Sequence, residues 1–241
     1  MFTAGLLVIG NEILSGKVVD TNSPYLAKEL RSLGVELQRI LTIPDDIDLI
    51  ARETRVMSDT FDYVFTSGGI GPTHDDLTME AVAKAFDRKL VLNQSMYDRI
   101  ARNQPEPLNE SQRKMAMLPE GAKVVDAGDL WFPIVIVENV HVFPGIPQLF
   151  EKKFEAIRDR FRGDPFHLKQ VFVTRHESDI AQSLNDLLGE FPNVMVGSYP
   201  RLGETHYRVL LTLESRDLAY LERALASLLE RIPDEAVHRV E

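Results

Sequence analysis

The sequence predicts an α/β protein in which a doubly wound, mainly parallel sheet is followed by a second, smaller βαββαβ domain. From residue 3 to residue 86, short apolar runs alternate with segments whose apolar residues recur at helical spacing. The four residues RGDP, at 162–165, then combine glycine with proline and form the clearest linker signal of the chain. Beyond them the pattern becomes strand, helix, strand, strand, helix, strand, which is the split βαβ plan.

The large domain begins with three strands that alternate with helices. Strands are expected at residues 3–10, 35–43 and 61–67, and helices at 22–33, 46–58 and 79–86. This alternation is typical of a parallel sheet with helices on both faces, where ligands bind at the carboxyl ends of the strands. The loops at 10–21 and 67–78 are therefore the predicted ligand site.

The remainder of the chain is predicted to hold a strand pair, a helix and the small domain. After a polar, proline-bearing stretch at 102–111, strands are expected at 134–137 and 140–143, and a helix from the FPGIP motif to about residue 161. The linker divides the chain into a large domain, 1–163, and a ferredoxin-like or KH-like α/β domain, 164–241. The strands of the small domain are expected at 170–174, 194–198, 205–214 and near Val237, and its helices at 178–188 and 218–231.

The composition restricts the classes of partner. Of the 241 residues, 44% are hydrophobic and 27% are charged, as is typical of a soluble globular protein. Asp and Glu outnumber Lys and Arg by 37 to 27, and the formal charge of −10 disfavours binding to nucleic acid or to an anionic membrane. The N-terminal stretch MFTAGLLVIGNEIL resembles neither a signal peptide nor a membrane span. Cysteine is absent, and we expect a cytoplasmic protein.

The loop TSGGIGPTHDDLT, at 66–78, has the composition of a phosphate-binding loop. Gly68, Gly69 and Gly71 carry no side chain that would block a ligand, so backbone N–H groups can point at it. The sequence matches neither the Walker A pattern nor the GxGxxG pattern of dinucleotide-binding proteins. Two carboxylates, Asp75 and Asp76, follow the glycines.

Two explanations of Asp75 and Asp76 are open. As helix caps, each would stabilise the following helix by roughly 1 kcal/mol. If a phosphate also binds there, a carboxylate about 4 Å away repels it by ~4 kcal/mol at an effective dielectric of 20. The helix N-terminus stabilises the phosphate by only about 0.3 to 2 kcal/mol. A divalent cation held by Asp75 or Asp76 reverses that balance, because Mg²⁺ binds one or two carboxylates together with substrate phosphates. The stretch therefore favours a metal-assisted diphosphate site, with Mg²⁺, Co²⁺, Ni²⁺ or Mn²⁺ as the cation.

The loop GNEILSGKVVDTN, at 10–22, offers matching polar groups. Asp20 or Thr21 could simply cap the next helix. Glu12 and Asp20 could instead hold a second cation or activate water, and Lys17 could pair with a phosphate. The further candidates for ligand binding in this loop are Asn11, Ser15, Thr21 and Asn22.

Other chemistries have less support. The histidines lack ligand spacing, and His74, beside the predicted site, is expected to face solvent. The sequence contains no GxSxG motif that would suggest a serine nucleophile. In the small domain, Tyr199, Arg201 and His206 are expected to belong to a polar turn.

The motifs VIGNEILSGKVVDTN, TSGGIGPTHDDLT and FPGIP resemble, in order and spacing, the N-terminal domain of the competence/damage-inducible protein A (CinA) family, part of the wider MoaB/MogA-like molybdopterin-binding group. This resemblance covers about residues 1–165. In the small domain, GSYP followed by YRVLLTLES resembles the region after the molybdopterin-binding-like domain of eukaryotic FAD synthases. Together the two resemblances cover nearly the whole chain.

The resemblance implies a MogA/MoaB-like domain with its pocket at these loops, and a hydrolase of the pyrophosphatase type. It implies metal-dependent hydrolysis of the diphosphate in ADP-ribose, as in the CinA branch, or in FAD, as in the FAD synthase domain. The alternatives are a molybdopterin-binding protein of molybdenum cofactor biosynthesis and a non-catalytic nucleotide-binding regulatory module. Glu12, Asp20, Asp75 and Asp76 are the implied catalytic residues. Those implied for ligand binding are Asn11, Thr21, Asn22, Gly68, Gly69, Ile70, Gly71, Thr73, Thr78, Gly145 and Pro147.

The sequence departs from the CinA pattern at one segment, and this difference bears on which substrate the protein would bind. At 126–133 the chain reads DAGDLWFP, which is closer to FAD synthase than to the Asn/Gly/Ala/Pro/Gly stretch of typical CinA proteins. The sequence ends at Glu241, so the deamidase activity of full-length CinA and the synthase activity of FAD synthase are not expected. The expected ligand is a nucleotide or a pterin. The resemblance and the apolar run at 209–213 also suggest a homo-oligomer.

Overall fold

The computed structural model describes residues 2–103, 107–128 and 130–241, which form two compact units, Met1–Gly163 and Asp164–Glu241. The RGDP motif lies where the two units meet in sequence. Residues 104–106 of the predicted polar stretch lie outside the described residues. So do Asp129 of DAGDLWFP and the side chains of Asn103 and Trp131.

Most of the first unit is built on one six-stranded sheet. Its elements, in chain order, are β1 (Thr3–Ile9), α1 (Asn11–Leu14), α2 (Asn22–Ser32), β2 (Glu36–Ile43), α3 (Ile47–Thr60), β3 (Tyr63–Ser67), α4 (Thr78–Ala85), β4 (Leu90–Leu92), α5 (Gln94–Asn103), α6 (Glu110–Lys114), β5 (Met117–Pro119), β6 (Lys123–Ala127), β7 (Leu130–Val137), β8 (Val140–Phe143), α7 (Pro147–Ile157) and a 3-10 helix (Arg158–Arg160). The sheet order is β2-β1-β3-β8-β7-β6. Strands β2, β1, β3 and β8 are parallel, and β7 and β6 extend the sheet in antiparallel fashion.

Helices cover both faces of this sheet, which confirms the doubly wound, mainly parallel prediction. Successive residues of a strand point to opposite faces, so Leu7 of β1 belongs to one core and Leu6 and Val8 to the other. The first core is completed by helices α3, α4 and α5, through Ile50, Met57, Ala81, Val82, Met96 and Ile100. The second is completed by α2 and α7, through Leu26, Leu30, Phe150, Phe154 and Ile157.

The predicted helix starts and the predicted strand pair are also confirmed. Asp46 caps α3, because its side chain accepts a hydrogen bond of 2.8 Å from the Leu49 N–H. Pro147 opens α7, where its missing N–H is no loss. Strands β7 and β8 form an antiparallel hairpin, as the two apolar segments around residues 138–139 predicted.

Five elements between residues 90 and 127 were not predicted. Strands β4 and β5 form a separate two-stranded sheet of only three residues each, too short for a periodic signal. Helix α5 follows Asn93, whose side chain accepts a hydrogen bond of 3.0 Å from the Met96 N–H. Met96 and Ile100, one turn apart, are its two buried apolar anchors. So few apolar positions in a polar segment gave no clear helical pattern.

The second unit has the predicted βαββαβ order. Its elements are β9 (His167–Val173), α8 (Glu177–Glu190), β10 (Met195–Pro200), β11 (Val209–Ser215), α9 (Leu218–Arg231), a 3-10 helix (Asp234–Ala236) and β12 (Val237–Val240). The strands form an antiparallel sheet in the order β10-β11-β9-β12, which is the ferredoxin-like arrangement. Both helices share one core with the sheet.

The apolar run at 209–213 contributes to that core. Val209, Leu211 and Leu213 are all buried within the second unit. The run therefore gives no support to a contact between subunits, and the homo-oligomer stays a prediction from the resemblance. No helix in the described ranges combines the length and the apolar character needed to cross a membrane.

Candidate functional site

Three neighbouring parallel strands, β1, β3 and β8, end at the same edge of the large sheet. The chain leaves them in three loops: the first loop (residues 10–21, which includes α1), the glycine loop (68–77) and the third loop (144–146). The two loops predicted as the ligand site and the FPGIP segment therefore lie at one edge. In doubly wound sheets this edge is where ligands bind.

Asn22, at the start of α2, ties two of these strand ends to its own helix. Its side-chain N–H₂ group donates to the Ser67 hydroxyl and to the Gly145 carbonyl, at 2.9 Å each. Asn22 is 4% exposed, and its Oδ1 has no hydrogen-bond partner among the described residues. Thr78, also buried, donates to the Gly68 carbonyl at 2.8 Å. Asn22 and Thr78, predicted as ligand-binding residues, thus use these groups to hold the loops together.

The glycine loop needs glycine for its conformation as well as for access. Gly68 has φ of 110°, and a Cβ at this position would lie 2.2 Å from the Ile9 carbonyl oxygen. Gly69 has φ of 66°, and a Cβ there would lie 2.4 Å from the Thr78 hydroxyl. A side chain at either position would therefore meet both backbone strain and a steric clash.

Asp75 and Asp76 converge on Thr73 within the glycine loop. Asp76 Oδ2 accepts a hydrogen bond of 2.7 Å from the Thr73 N–H and lies 2.6 Å from its hydroxyl oxygen. Asp75 Oδ1 lies 2.5 Å from the same hydroxyl, and that hydrogen bond lowers the pKa of Asp75 below its ordinary value. A hydroxyl has only one proton to donate, so one of the two carboxylates always lacks this bond.

Neither carboxylate caps helix α4 with its side chain. The residue before the helix is Leu77, and no side-chain capping hydrogen bond is formed there. The hydrogen bonds of Asp75 and Asp76 go to Thr73 instead. The helix-cap explanation therefore lacks the bonds it requires.

Asp20, in contrast, does act as a helix cap. Its Oδ1 accepts hydrogen bonds of 3.0 Å from the N–H groups of Asn22 and Ser23, and its Oδ2 bonds the Ser23 hydroxyl. Both carboxylate oxygens are thus engaged at the start of α2. Thr21, the other candidate cap, makes no side-chain capping hydrogen bond.

The first loop and Asp75 share a shallow depression. It is lined by Asn11, Glu12, Leu14, Ser15, Lys17, Asp45 and Asp75. Asp45 was not predicted: it follows β2, and its Oδ2 accepts a hydrogen bond of 2.9 Å from the Asn11 N–H. Because β2 pairs with β1, the carboxyl end of β2 lies at the same sheet edge. Knowledge of the strand order would have identified Asp45.

Two cavities open onto the glycine loop. The third-loop cavity, of about 560 Å³, has among its lining residues Glu12, Gly68, Gly69, Gly71, Asp76, Leu130, Phe132, Gly145, Pro147, Leu149 and Lys153. The α6 cavity, of about 660 Å³, has among its lining residues Gly69, Gly71, Asp76, Leu90, Leu108, Arg113, Met115 and Phe132. Both cavities share Gly69, Gly71 and Asp76, and both have apolar walls. The arrangement suits a ligand with an anionic centre at the loop and ring systems on either side.

Lys153 is the second residue of the site that the sequence did not reveal. It lies on α7, is 2% exposed, and its Nζ donates to the Pro133 carbonyl at 2.8 Å. Burial lowers the pKa of Lys153 from 10.5 to about 7. The sequence does give a clue to the burial of Lys153, because this residue lies between Phe150 and Phe154 on the apolar face of its helix.

The described residues could hold a divalent cation only with help from a ligand. No group of three or more His, Asp or Glu side chains in the described ranges is arranged to bind a metal ion. Asp75 and Asp76 provide hard oxygen ligands from a single segment, so water and ligand oxygens would complete the coordination. Mg²⁺ binds in this way with substrate phosphates, and the residues present fit such an ion.

Of the remaining predicted positions, His74, Arg201 and His206 lie where the sequence suggested, whereas the prediction for Tyr199 was wrong. The His74 side chain is 97% exposed and 3.9 Å from Asp75 Oδ1, so it faces solvent as expected. Arg201 and His206 lie in the connection between β10 and β11, whereas Tyr199 belongs to β10 itself. None of these three lies in the first unit, which contains the candidate site.

Comparison with known proteins agrees with this fold and division. Residues 5–163 match the family described as probable molybdopterin binding domain, and residues 165–241 match the FAD synthase middle domain. A protein of Archaeoglobus fulgidus is 38% identical over 235 residues, covering 95% of this chain and 98% of the relative. The probable FAD synthase of Caenorhabditis elegans is 33% identical over 264 residues, covering 98% of this chain and 51% of that protein.

A solved structure gives the same result for the first unit. The crystal structure of the protein CinA from Thermoplasma acidophilum, described as of unknown function, aligns with a TM-score of 0.61 and 28% identity. The alignment covers 67% of this chain and 99% of that one. The resemblance to CinA and to FAD synthase is thereby confirmed, and the chain belongs to the family of probable molybdopterin-binding domains, joined here to a segment of the FAD synthase middle-domain type.

Proposed function

We propose that the first unit hydrolyses the diphosphate of a nucleotide such as ADP-ribose or FAD with the help of a divalent cation. In this reaction the oxygen of a water molecule bonds to one phosphorus, and the bond from that phosphorus to the bridging oxygen breaks. The two protons of the water go to the two phosphate products or to solvent. ADP-ribose would give AMP and ribose 5-phosphate, and FAD would give AMP and FMN. The FAD synthase relative and the match to the FAD synthase middle domain support a nucleotide ligand.

The observation that carries the proposal is the position of Asp76 between the two cavities on the glycine loop. A phosphate placed against Gly69 and Gly71 lies beside this carboxylate, since all three residues line both cavities. A carboxylate about 4 Å from the phosphate repels it by about 4 kcal/mol. This repulsion exceeds the stabilisation of about 0.3 to 2 kcal/mol that a helix N-terminus gives to an anion. A binding module for an anion would gain nothing from Asp75 and Asp76, whereas a metal-assisted site requires them.

The chain's own groups then have distinct tasks. The glycine loop positions the diphosphate, and Asp75 and Asp76 hold the cation. When bound, the cation supplies charge neutralisation and polarisation of a phosphoryl oxygen. Glu12 lines the third-loop cavity, and its side chain has no hydrogen-bond partner among the described residues. We assign Glu12 the task of accepting a proton from the attacking water.

The apolar walls of the two cavities would bind the ends of the nucleotide. Phe132 and Met115 line both cavities, and Leu149 and Leu108 line one each. Flat ring systems gain from such contacts through burial of apolar surface and, at Phe132, through ring stacking.

A direct assay tests the proposal. Purified protein is incubated with ADP-ribose or FAD and with Mg²⁺, Mn²⁺, Co²⁺ or Ni²⁺, and products are separated by liquid chromatography. We expect AMP with at least one metal and none after addition of EDTA. Intact substrates under every condition would contradict the proposal.

Pterin binding is a second candidate, because residues 5–163 match the molybdopterin-binding family. In that case the protein should bind molybdopterin and leave ADP-ribose and FAD intact. Binding of either nucleotide without turnover would instead indicate a regulatory module.

A further inference from the structure

Lys153 lies in the wall of the third-loop cavity, and its charge has no carboxylate partner within the described part of the chain. Its Nζ donates to the Pro133 carbonyl at 2.8 Å and lies 4.6 Å from the centroid of the Phe132 ring. Phe132 belongs to the same cavity wall. An ammonium group has three N–H donors, and the Pro133 carbonyl uses one. Even if one further N–H faces the Phe132 ring, at least one donor remains for a ligand.

A purely structural role gives no reason for a lysine here. Lys153 lies among the apolar residues of α7, with Phe150 and Phe154 in the same core. A methionine would fill similar space without the cost of burying an amine. One hydrogen bond to a carbonyl does not require a group that is able to carry charge. Binding of an anionic ligand in the cavity would require such a group.

The charged groups around Lys153 do not neutralise it. The titratable side chains that line the same cavity are Glu12 from α1 and Asp76 from the glycine loop, and neither forms an ion pair with Lys153. Helix α7 also packs against α2 and β6, which carry Glu29 and Asp126. These two carboxylates pair with arginines instead. On α2, Tyr25 has a pKa raised to about 12, chiefly by burial, so it stays neutral.

We propose that Lys153 binds the anionic centre of the ligand in the third-loop cavity. This inference rests on the proposed function in one respect, which is that the ligand carries a diphosphate. It adds a cationic contact in a cavity that Asp76 also lines. Lys153 is thus a binding residue, distinct from the groups proposed to hold the cation.

The proposal predicts a particular pH dependence. Burial lowers the pKa of Lys153 to about 7, and an adjacent anion raises it again by favouring the charged form. Below about pH 6 the amine is already charged, so binding takes up almost no proton through Lys153. Near pH 7 uptake is about half a proton, and above about pH 8 it approaches one.

The test uses α,β-methylene-ADP with MgCl₂, because its bridging carbon prevents hydrolysis. Isothermal titration calorimetry in two buffers of different ionisation enthalpy gives the number of protons taken up at each pH. Wild-type protein is compared with Lys153→Met and with Lys152→Met, an exposed neighbour that serves as the matched control. Subtraction of the Lys153→Met result removes the ligand's own protonation.

We expect Lys153→Met to bind the probe about 10- to 100-fold more weakly and to lose the uptake that rises between pH 6 and pH 8. Lys152→Met should behave as wild type. Equal affinity and equal uptake in Lys153→Met would overturn the inference, as would wild-type protein that shows no pH-dependent uptake or no binding. If Lys153→Met is unfolded by circular dichroism, Lys153→Gln takes its place in the binding comparison and in the subtraction.

The hydrolysis assay keeps the two proposals separate. Wild-type protein that hydrolyses ADP-ribose or FAD while Lys153→Met binds the probe normally would refute only the role of Lys153. Proton uptake that is lost in Lys153→Met, without turnover of either nucleotide, would refute only the hydrolysis.

Discussion

Glycine is required at Gly68 both by the backbone conformation and by the close approach to β1, and a substitution at Gly128 serves as the comparison. Gly68 and Gly128 both have positive φ, of 110° and 60°. A Cβ at Gly68 would lie 2.2 Å from the Ile9 carbonyl, whereas at Gly128 no described atom lies within 4 Å. Gly128→Ala should cost about 1 kcal/mol of unfolding free energy through backbone strain alone. Gly68→Ala should cost about 1 to 3 kcal/mol more, because of the clash and because φ of 110° is less favourable for alanine than φ of 60°.

Chemical denaturation of the two variants checks this prediction. Equal losses of stability would show that the close approach of Gly68 to β1 adds nothing to the strain. The comparison matters for the site because this approach brings the glycine loop against the end of β1.

At the residue scale, the sequence revealed the contiguous parts of the site and missed the dispersed parts. Gly68, Asp75 and Asp76 could be predicted because their chemistry lies within one short motif. Asp45 and Lys153 could not, because nothing local marks them as neighbours of that motif. Asp45 reaches the site through the pairing of β2 with β1, and Lys153 through the packing of α7 on the sheet.

At the scale of the elements, β8 carries a buried histidine into the second core of the large sheet. His141 is 7% exposed, with the rings of Phe65 and Phe161 at 5.4 and 5.0 Å. Its Nδ1 lies 3.1 Å from the Asn139 carbonyl oxygen. Burial, as the largest cause, lowers the pKa of His141 from 6.5 to about 4.

This histidine predicts acid sensitivity of the first unit. Between pH 6.5 and about pH 4 the unfolded chain binds the proton and the folded chain does not, so stability falls as the pH falls through this window. The loss from His141 should be roughly 3 kcal/mol and complete below pH 4. His141→Phe should reduce this slope in urea denaturation measured between pH 4 and pH 7. The exposed His74→Asn should leave it unchanged, and an unchanged slope in His141→Phe would refute the assignment.

The elements themselves were predictable where periodicity was long enough. Helix α3 has both a cap at Asp46 and a buried face with Ile50 and Met57, so its signal was strong. Strands β4 and β5 have three residues each and are stabilised by pairing with one another, which no single segment encodes. The sheet order also depends on contacts between distant strands, so the sequence predicted the fold class without the strand neighbours.

At the scale of the whole molecule, each unit contains its own core and its own sheet. The second unit, Asp164–Glu241, packs α8 and α9 on one face of its four strands. We therefore expect a fragment of residues 164–241 to fold alone and to unfold in one cooperative transition, and a fragment of residues 1–163 to do the same. Circular dichroism during urea titration measures this. A fragment without a cooperative transition would show that its fold depends on the other unit.

The central claim is that Asp75 and Asp76 hold a divalent cation on the diphosphate of a nucleotide. The most direct measurement is the rate of ADP-ribose and FAD hydrolysis, with the activating metal and with EDTA, for wild-type protein, Asp75→Asn, Asp76→Asn and the control Asp59→Asn. Asparagine keeps the shape of the side chain, and its amide oxygen can still accept a hydrogen bond from Thr73, so folding should be preserved. We expect Asp76→Asn to lose about a hundredfold or more of the metal-dependent rate, Asp75→Asn to be impaired, and Asp59→Asn to match wild type. Full metal-dependent hydrolysis by both Asp75→Asn and Asp76→Asn would contradict the claim.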